Sequence, residues 1–509
     1  MKNILLFLLV LLSSNLIAQN KSGNTIIFGG GGMYARYTDT SKPTTGMYFA
    51  GTSKYVFVES TSNICDSATG RMLFLTNGAR LFDTLGNIIE NGDSLIPHKL
   101  YTQNSIPTGN ASQCSLILPK GSNGLYYVFI NAVTDSTYNN VWSAGVITPA
   151  DILQYDIVDM NANGGMGKVV QKNKPLITNT YLSRVGMMAC RHANGYDWWL
   201  LKQGFDSNIV YKFLVTADSI FIKDTQRIAQ PRFGIYDATG QNCFSSKGNK
   251  YAFASGGGGL NNNGAQIFIS DFNRCTSDLG NIKILHPPYD STLTPLDAIF
   301  PGEMDSLITG VCFSPNDSFL YVARRYNIYQ YDLYEPDTIL AWSHIQYGPD
   351  TTFTEFSCYG QLLRGIDNRI IIGKSGGGTG TSNSTIDYPN KKGSACGICK
   401  KCLRYDLSTY ASTAPSNMPD FNLGIDSSSC WAVGIHEVVK INEGILIYPN
   451  PTTSKFQIKN AKYQSRKELF NSVGQLILTT KENEIDVSRL SKGVYYIKCE
   501  GQSKKVIIE

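Results

Sequence analysis

Short runs in which apolar and polar positions alternate, each bounded by Gly, Asn, Asp or Pro, recur along the chain and predict strands joined by tight turns. Met72 to Thr76, the turn at Asn77-Gly78 and Ala79 to Phe82 form one such hairpin pattern. Met187 to Cys190, the turn at Asn194-Gly195 and Asp197 to Leu201 form another. Asn-Gly suits such turns because both residues accept positive φ. No window holds apolar residues at helical spacing over three turns without Gly or Pro interrupting it, so helix is expected to be scarce.

The hairpins repeat. Cys243-Phe244-Ser245-Ser246-Lys247-Gly248 followed by Tyr251-Ala252-Phe253-Ala254 matches Cys312-Phe313-Ser314-Pro315-Asn316-Asp317 followed by Leu320-Tyr321-Val322-Ala323. The next strand in each unit ends in Asp and an apolar residue, at Asp271-Phe272 and Asp332-Leu333, and the same ending appears at Asp156-Ile157 and Asp406-Leu407. Repeated units of several strands that cannot bury both faces alone are what a β-propeller requires. The expected architecture is all-β: a propeller of about seven blades, followed by a small C-terminal β-sandwich. Blades are expected to start near residues 53, 114, 186, 234, 308 and 355, with a last one built from Cys430 to Val439 plus Thr25 to Phe28. A string of β-sandwich modules explains the strands but not the repeat.

Composition agrees, with 42% hydrophobic, 11% aromatic and only 17% charged residues and 48 Gly in 509 residues, which excludes a disordered chain and a helical array. A net charge of +5 without long Lys/Arg runs leaves no nucleic-acid footprint. Lys2 ahead of the apolar run Ile4 to Leu12, with Ala18 as the small residue at a cleavage site, reads as a signal peptide over residues 1–18. Gln19 is then the expected mature N-terminus, and no stretch is long enough for a transmembrane segment. All 12 Cys would then reach an oxidising compartment, where pairing is allowed. Cys396, Cys399 and Cys402 form a C-x-x-C-x-x-C run, but Asp406 stands where a ferredoxin-like fourth Cys would be and no nearby His completes a zinc site, so disulfides or free thiols are expected there.

The pattern changes after Glu443. Residues 445–509 read as a compact antiparallel unit, separate from residues 19–440. Tyr448-Pro449-Asn450-Pro451-Thr452, Leu469-Phe470-Asn471-Ser472-Val473-Gly474-Gln475, Leu490-Ser491-Lys492-Gly493-Val494-Tyr495 and the terminal Lys505-Val506-Ile507-Ile508 resemble the type A C-terminal sorting domain of the Bacteroidetes type IX secretion system. The middle turn departs from the family's Ser/Thr-Gly-Arg. The resemblance implies passage through the periplasm, recognition of residues 445–509 by an outer-membrane translocon, and release or display outside the cell. The motif positions it marks are Pro449, Asn450, Pro451, Gly474, Leu490, Gly493 and Tyr495. Upstream, Gly70 to Gly92, Tyr155 to Gly167, Arg191 to Trp199 and Asn417 to Gly424 resemble secreted propeller-like proteins of Bacteroidetes without an established activity.

Linear motifs for chemistry fail on context. Gly373-Lys374-Ser375-Gly376-Gly377 satisfies G-x-S-x-G, yet Gly378 to Ser384 cannot begin the required helix, and Asn368 replaces the first Gly of a phosphate loop. Gly30, Gly32 and Ala35 mimic a dinucleotide fingerprint that no helix pattern follows. His98, His192, His286, His344 and His436 show no paired metal spacing, and His192 is expected to steady its hairpin with Asp197. Asp151, Asp156 and Asp159 are weak candidates for a Ca²⁺ site, and Trp198 and Trp199 must point to opposite faces of their strand. No catalytic residue, metal or cofactor is assigned. The reading is an exported propeller that binds a protein or glycan through blade-end loops at Asn161 to Gly167, Gly256 to Gly264 and Ser375 to Asn390; the alternative is an extracellular hydrolase or lyase whose carboxylates meet in the funnel.

Overall fold

The computed structural model describes residues 19–29, 32–48, 60–102, 111–141, 149–205, 207–228, 240–255, 266–288, 308–324, 327–347, 359–374, 379–405, 411–412, 414–428, 430, 446–459, 465–499 and 502–509. The signal-peptide segment, Gly256 to Gly264, Ser375 to Gly377 and residues 431–439 lie outside the described residues. The chain divides into two compact units, Met1–Trp431 and Ala432–Glu509.

Among the described residues of the first unit the sheets are antiparallel; those of three or more strands follow chain order, and a two-stranded sheet pairs Thr379–Gly380 with Ala411–Ser412. Thr25–Phe28, Met33–Arg36 and Thr44–Met47 form the first sheet, and Ser62–Cys65, Met72–Thr76 and Leu81–Phe82 the second. Ser115–Pro119, Leu125–Ala132 and Ala150–Asp159 lead into the 24-residue strand Lys168–Arg191, followed by Trp198–Gly204, Ile209–Val215 and Ile220–Arg227. Three four-stranded sheets follow, beginning at Gly240, Ile308 and Tyr359. The long strand serves two four-stranded units. Its first part pairs with Ala150–Asp159, its last part with Trp198–Gly204, and the register shifts repeatedly between them.

The first strands of successive units pack on one another in sequence. Thr25–Phe28 meets Ser62–Cys65, which meets Ser115–Pro119; Lys168–Arg191 meets Gly240–Phe244, then Ile308–Phe313, then Tyr359–Arg364. Gly310 permits one of these approaches, since a Cβ there would sit 2.4 Å from the Gly360 carbonyl oxygen. The last sheet returns to the first: Thr45 Oγ1 donates to the Arg404 carbonyl at 2.7 Å, the Phe28 and Tyr405 rings lie 5.3 Å apart, and Ile371 and Leu403 share a core with Ile26 and Phe28. Strands begin at Ser115 and Ile308, beside the starts expected near residues 114 and 308, and the position near 186 falls inside Lys168–Arg191; the starts expected near residues 53, 234 and 355 lie outside the described residues. Thr25–Phe28 belongs to a sheet completed by the two strands that follow it, and its other bridge runs from Phe28 to Pro415. Helix is confined to two short segments among the described residues apart from 3-10 turns, α1 (Lys99–Thr102) and α2 (Asp135–Val141).

In the second unit Leu446–Tyr448, Lys455–Lys459 and Glu484–Asp486 form one sheet, and Leu476–Thr480, Lys467–Asn471, Gly493–Cys499 and Gln502–Ile508 a second. Phe456, Ile458, Leu469, Ile485, Ile497 and Val506 fill one core.

Candidate binding cavity and its central strap

Residues 414–428 have almost no regular structure, yet they run across the inner strands of the first unit. Ser416 starts the crossing. Its N–H donates to the Ile27 carbonyl at 2.8 Å and its hydroxyl to Asn63 Oδ1 at 2.7 Å. Asn417, 4% exposed, uses its whole polar inventory: its N–H donates to Thr61, its amide to the Ser115 and Met187 carbonyls at 2.9 Å each, its Oδ1 accepts from Gln113, and its carbonyl accepts from Ser62. One residue, through its side chain and its main chain, thus joins three neighbouring units. Gln113 extends the join by exchanging hydrogen bonds with the main chain of Asn242, and Gln241 does the same between Val311 and Leu362.

Beyond Asn417 the segment is strapped to one end of the unit. The Phe421 ring meets Trp198 edge-on at 5.8 Å, and the Arg191 guanidinium, stacked 3.9 Å over Trp198, donates to the Phe421 carbonyl. Burial, helped by neighbouring Arg274, lowers the Arg191 pKa to about 10. Arg274 donates to the Gly424 carbonyl at 2.6 Å, Asp426 N–H donates to Ala193, and Cys430 pairs with Cys275 across 155 residues.

Residues 418–423 wall a half-open cavity of about 530 Å³, lined also by the strands beginning at Gly240, Ile308 and Tyr359 and by Ile26 and Met188. Its lining is mostly apolar, including Met188, Phe313, Ile366 and Met418. Arg364 and Asp420 are the charged side chains among the lining residues, and they pair at 2.5 Å. Two thiols also line it. Burial pushes Cys312 up to about 12 and Cys243 well above the usual thiol range, so both remain protonated at neutral pH and act as small apolar groups. Such a lining suits an amphipathic group with one or two polar contacts better than proton transfer.

The candidates named from the sequence disperse once folded, each into a local structural role. His192 and Asp197 bond across the hairpin through the main chain, the His192 N–H donating to the Asp197 carbonyl at 2.8 Å, and Asn194 links their side chains, donating its N–H to His192 Nδ1 at 3.0 Å and its amide to Asp197 Oδ2 at 2.8 Å. Trp198 and Trp199 do take opposite faces, each buried in a different core, and neither faces a groove. Asp151 binds Thr134 and Thr137 at the start of α2, Asp156 accepts from Asn173 N–H, and Asp159 accepts from Asn161 N–H, so the three carboxylates do not converge. Among the described residues no cluster of three or more His, Cys, Asp or Glu side chains is placed to hold a metal. Cys399 and Cys402 are disulfide-bonded, and Cys396 is a buried free thiol. The sequence reading includes Asn417 and Asp420 in the stretch Asn417 to Gly424 that carries the upstream resemblance, but it marks neither Asn417 nor the Arg364–Asp420 pair as a contact.

In the second unit the Tyr448 to Thr452 segment holds the final strand. Asn450 donates to the Lys505 carbonyl and accepts from Ile507 N–H, both at 2.8 Å, between two cis prolines, Pro449 and Pro451. Gly474 takes φ 81° in the turn that the Asn471 side chain closes, Leu490 packs on the core, Gly493 opens a strand, and the Tyr495 hydroxyl donates to the Ser491 carbonyl at 2.9 Å. Residues 446–509 match the family described as the secretion system C-terminal sorting domain. This tail marks a type IX secretion signal. The sorting domain directs export to the cell surface or extracellular space and implies interaction with the type IX machinery. No match to a curated protein was found for the chain. The structure is similar to a functionally unknown protein from Desulfotomaculum acetoxidans, with 13% identity, 78% of this chain and 100% of that chain covered and a TM-score of 0.38. It is also similar to a protein from Lactobacillus plantarum, with 9% identity, 78% and 97% covered and a TM-score of 0.38. Among the described residues no helix is long and apolar enough to cross a membrane.

Proposed function

We propose that residues 19–440 form a β-propeller of about seven blades that acts outside the cell as a non-catalytic binding module for a protein or glycan, delivered there by the sorting domain. The observation that supports binding most strongly is the charge content of the cavity: among its described lining residues the one carboxylate, Asp420, is held by the one guanidinium, Arg364. Glycoside hydrolysis needs two carboxyl groups flanking the scissile bond, whereas recognition needs a shaped, mostly apolar pocket with a few oriented polar groups. The ion pair would orient a polar ligand group against the apolar floor.

The test is a glycan and peptide array probed with the mature secreted protein and with the Arg364→Ala/Asp420→Ala double variant. A retained ligand whose affinity drops at least ~10-fold in the double variant supports the reading, as expected for a buried anchoring contact. Ligands bound equally by both proteins, or turnover of an arrayed glycan, would contradict it.

For delivery, the translocon would read the folded surface of residues 445–509 that the motif positions Pro449, Asn450, Pro451, Gly474, Leu490, Gly493 and Tyr495 build. Asn450→Ala removes both bonds to the last strand and should lower export while leaving the passenger's binding intact.

A further inference from the structure

The seven free thiols among the described residues are all buried, whereas the C-x-x-C disulfide has one half-buried sulfur residue, Cys399, and one exposed, Cys402. This pair lies in Ile398–Arg404, the edge strand of the sheet that begins at Tyr359. Thr385 faces Cys399 and Asn383 faces Leu403, so Lys400, Lys401 and Cys402 oppose Ser384 alone. The disulfide spans this bulge. Bulges at sheet edges re-aim side chains and often adjoin functional sites.

As a staple the bond achieves little. The chain entropy removed by a disulfide grows with the loop it closes, and this one joins residues 3 apart, against 155 for Cys275–Cys430. As a chemical group it is well placed. Lys391, Lys400, Lys401 and Arg404 lie close to it in sequence, Lys392 being paired with Asp332 at 2.9 Å, and no Asp or Glu occurs between Asp387 and Asp406. Nearby cations favour thiolates and attract anionic reactants. Cys396 does not compete, because burial raises its pKa and keeps its thiol protonated.

We propose that Cys399 and Cys402 form a thiol–disulfide exchange site for an anionic thiol. The incoming thiolate bonds to Cys402 Sγ while the Sγ–Sγ bond breaks, its electron pair passing to Cys399 Sγ, which leaves as thiolate. A second thiolate then displaces Cys402 Sγ. Two thiols become one disulfide, and the protein gains the two electrons and two protons as its dithiol.

The full-length oxidised protein is exposed to glutathione, to neutral β-mercaptoethanol and to cationic cysteamine, and each disulfide is followed by alkylation and peptide mass mapping. The Cys399–Cys402 bond should open at least ~10-fold faster than Cys275–Cys430 in the folded protein. Per thiolate, glutathione should outpace cysteamine several-fold at low ionic strength, with the gap closing in ~0.5 M salt and in a Lys400→Gln/Lys401→Gln variant. Cys399→Ser should leave Cys402 to capture glutathione from its disulfide as a stable mixed disulfide. A C-x-x-C bond that opens only with unfolding, or rates blind to the charge of the thiol, would overturn the proposal, and the wild-type rates decide even if the Ser variant does not fold.

Discussion

Asp156 is a carboxyl group with no exposure, in the strand Ala150–Asp159, whose Oδ1 accepts from Asn173 N–H at 2.6 Å and whose Oδ2 meets no hydrogen-bond partner. Burial raises its pKa from 3.8 to about 7, against smaller lowering effects of the Asn173 bond and Lys172. That rise corresponds to roughly 4 kcal/mol favouring the protonated form in the fold. The folded state therefore binds the proton more tightly than the unfolded chain. Stability falls as pH rises from about 4 towards 7, and above 7 the full penalty of an ionised buried carboxylate is present. Asp156→Asn removes the charge and keeps the acceptor for Asn173, but its amide NH₂ inherits the partnerless position, at a cost of about 1–3 kcal/mol. The net expectation is about 1–3 kcal/mol of stabilisation at pH 8.5, or a rise in melting temperature of a few degrees. At pH 5, where Asp156 is protonated in the folded protein, the gain should vanish or become a small loss. Calorimetric melting of both proteins at the two pH values measures the difference. An equal shift at both would refute the assignment of a raised pKa to this carboxyl.

Two further variants probe the strap. Asn417→Ala takes one acceptor from the Gln113 amide and the side-chain donor from two inner-strand carbonyls, so it should cost at least ~3 kcal/mol in denaturant titration, whereas an exposed polar residue would cost next to nothing. Cys275→Ser/Cys430→Ser opens a 155-residue loop and should destabilise the first unit by up to about 5 kcal/mol, read as a lowered denaturant midpoint; an unchanged midpoint would mean that the strap constrains neither state.

The hairpins are legible because the alternation and the Asn-Gly turns are local: Met72–Thr76 and Leu81–Phe82 follow directly from them. The stretches matched from Cys243 and from Cys312 each fall on two neighbouring strands, and Cys243 and Cys312 are each next to last in Gly240–Phe244 and Ile308–Phe313. Lys168–Arg191 is harder to read, because its bulges interrupt the two-residue period and hide that one strand serves two units. The strap is illegible for a different reason. Asn417 is placed by partners at Thr61, Gln113, Ser115 and Met187, which no window of the sequence brings together, and a buried Asn looks the same as a loop Asn until those carbonyls are positioned. The Arg364–Asp420 pair likewise joins residues 56 apart. The tail is legible because its motifs are contiguous, and Asn450 lies in the segment that grips the last strand.

That a self-contained passenger is carried out of the cell by a separable address is tested most directly by deleting residues 446–509 in a host with an active type IX system. Culture medium, cell surface and periplasm are then assayed for the passenger and its Cys275–Cys430 bond. A disulfide-bonded, protease-resistant passenger confined to the periplasm is the predicted result; the same passenger appearing outside the cell at undiminished level would contradict it.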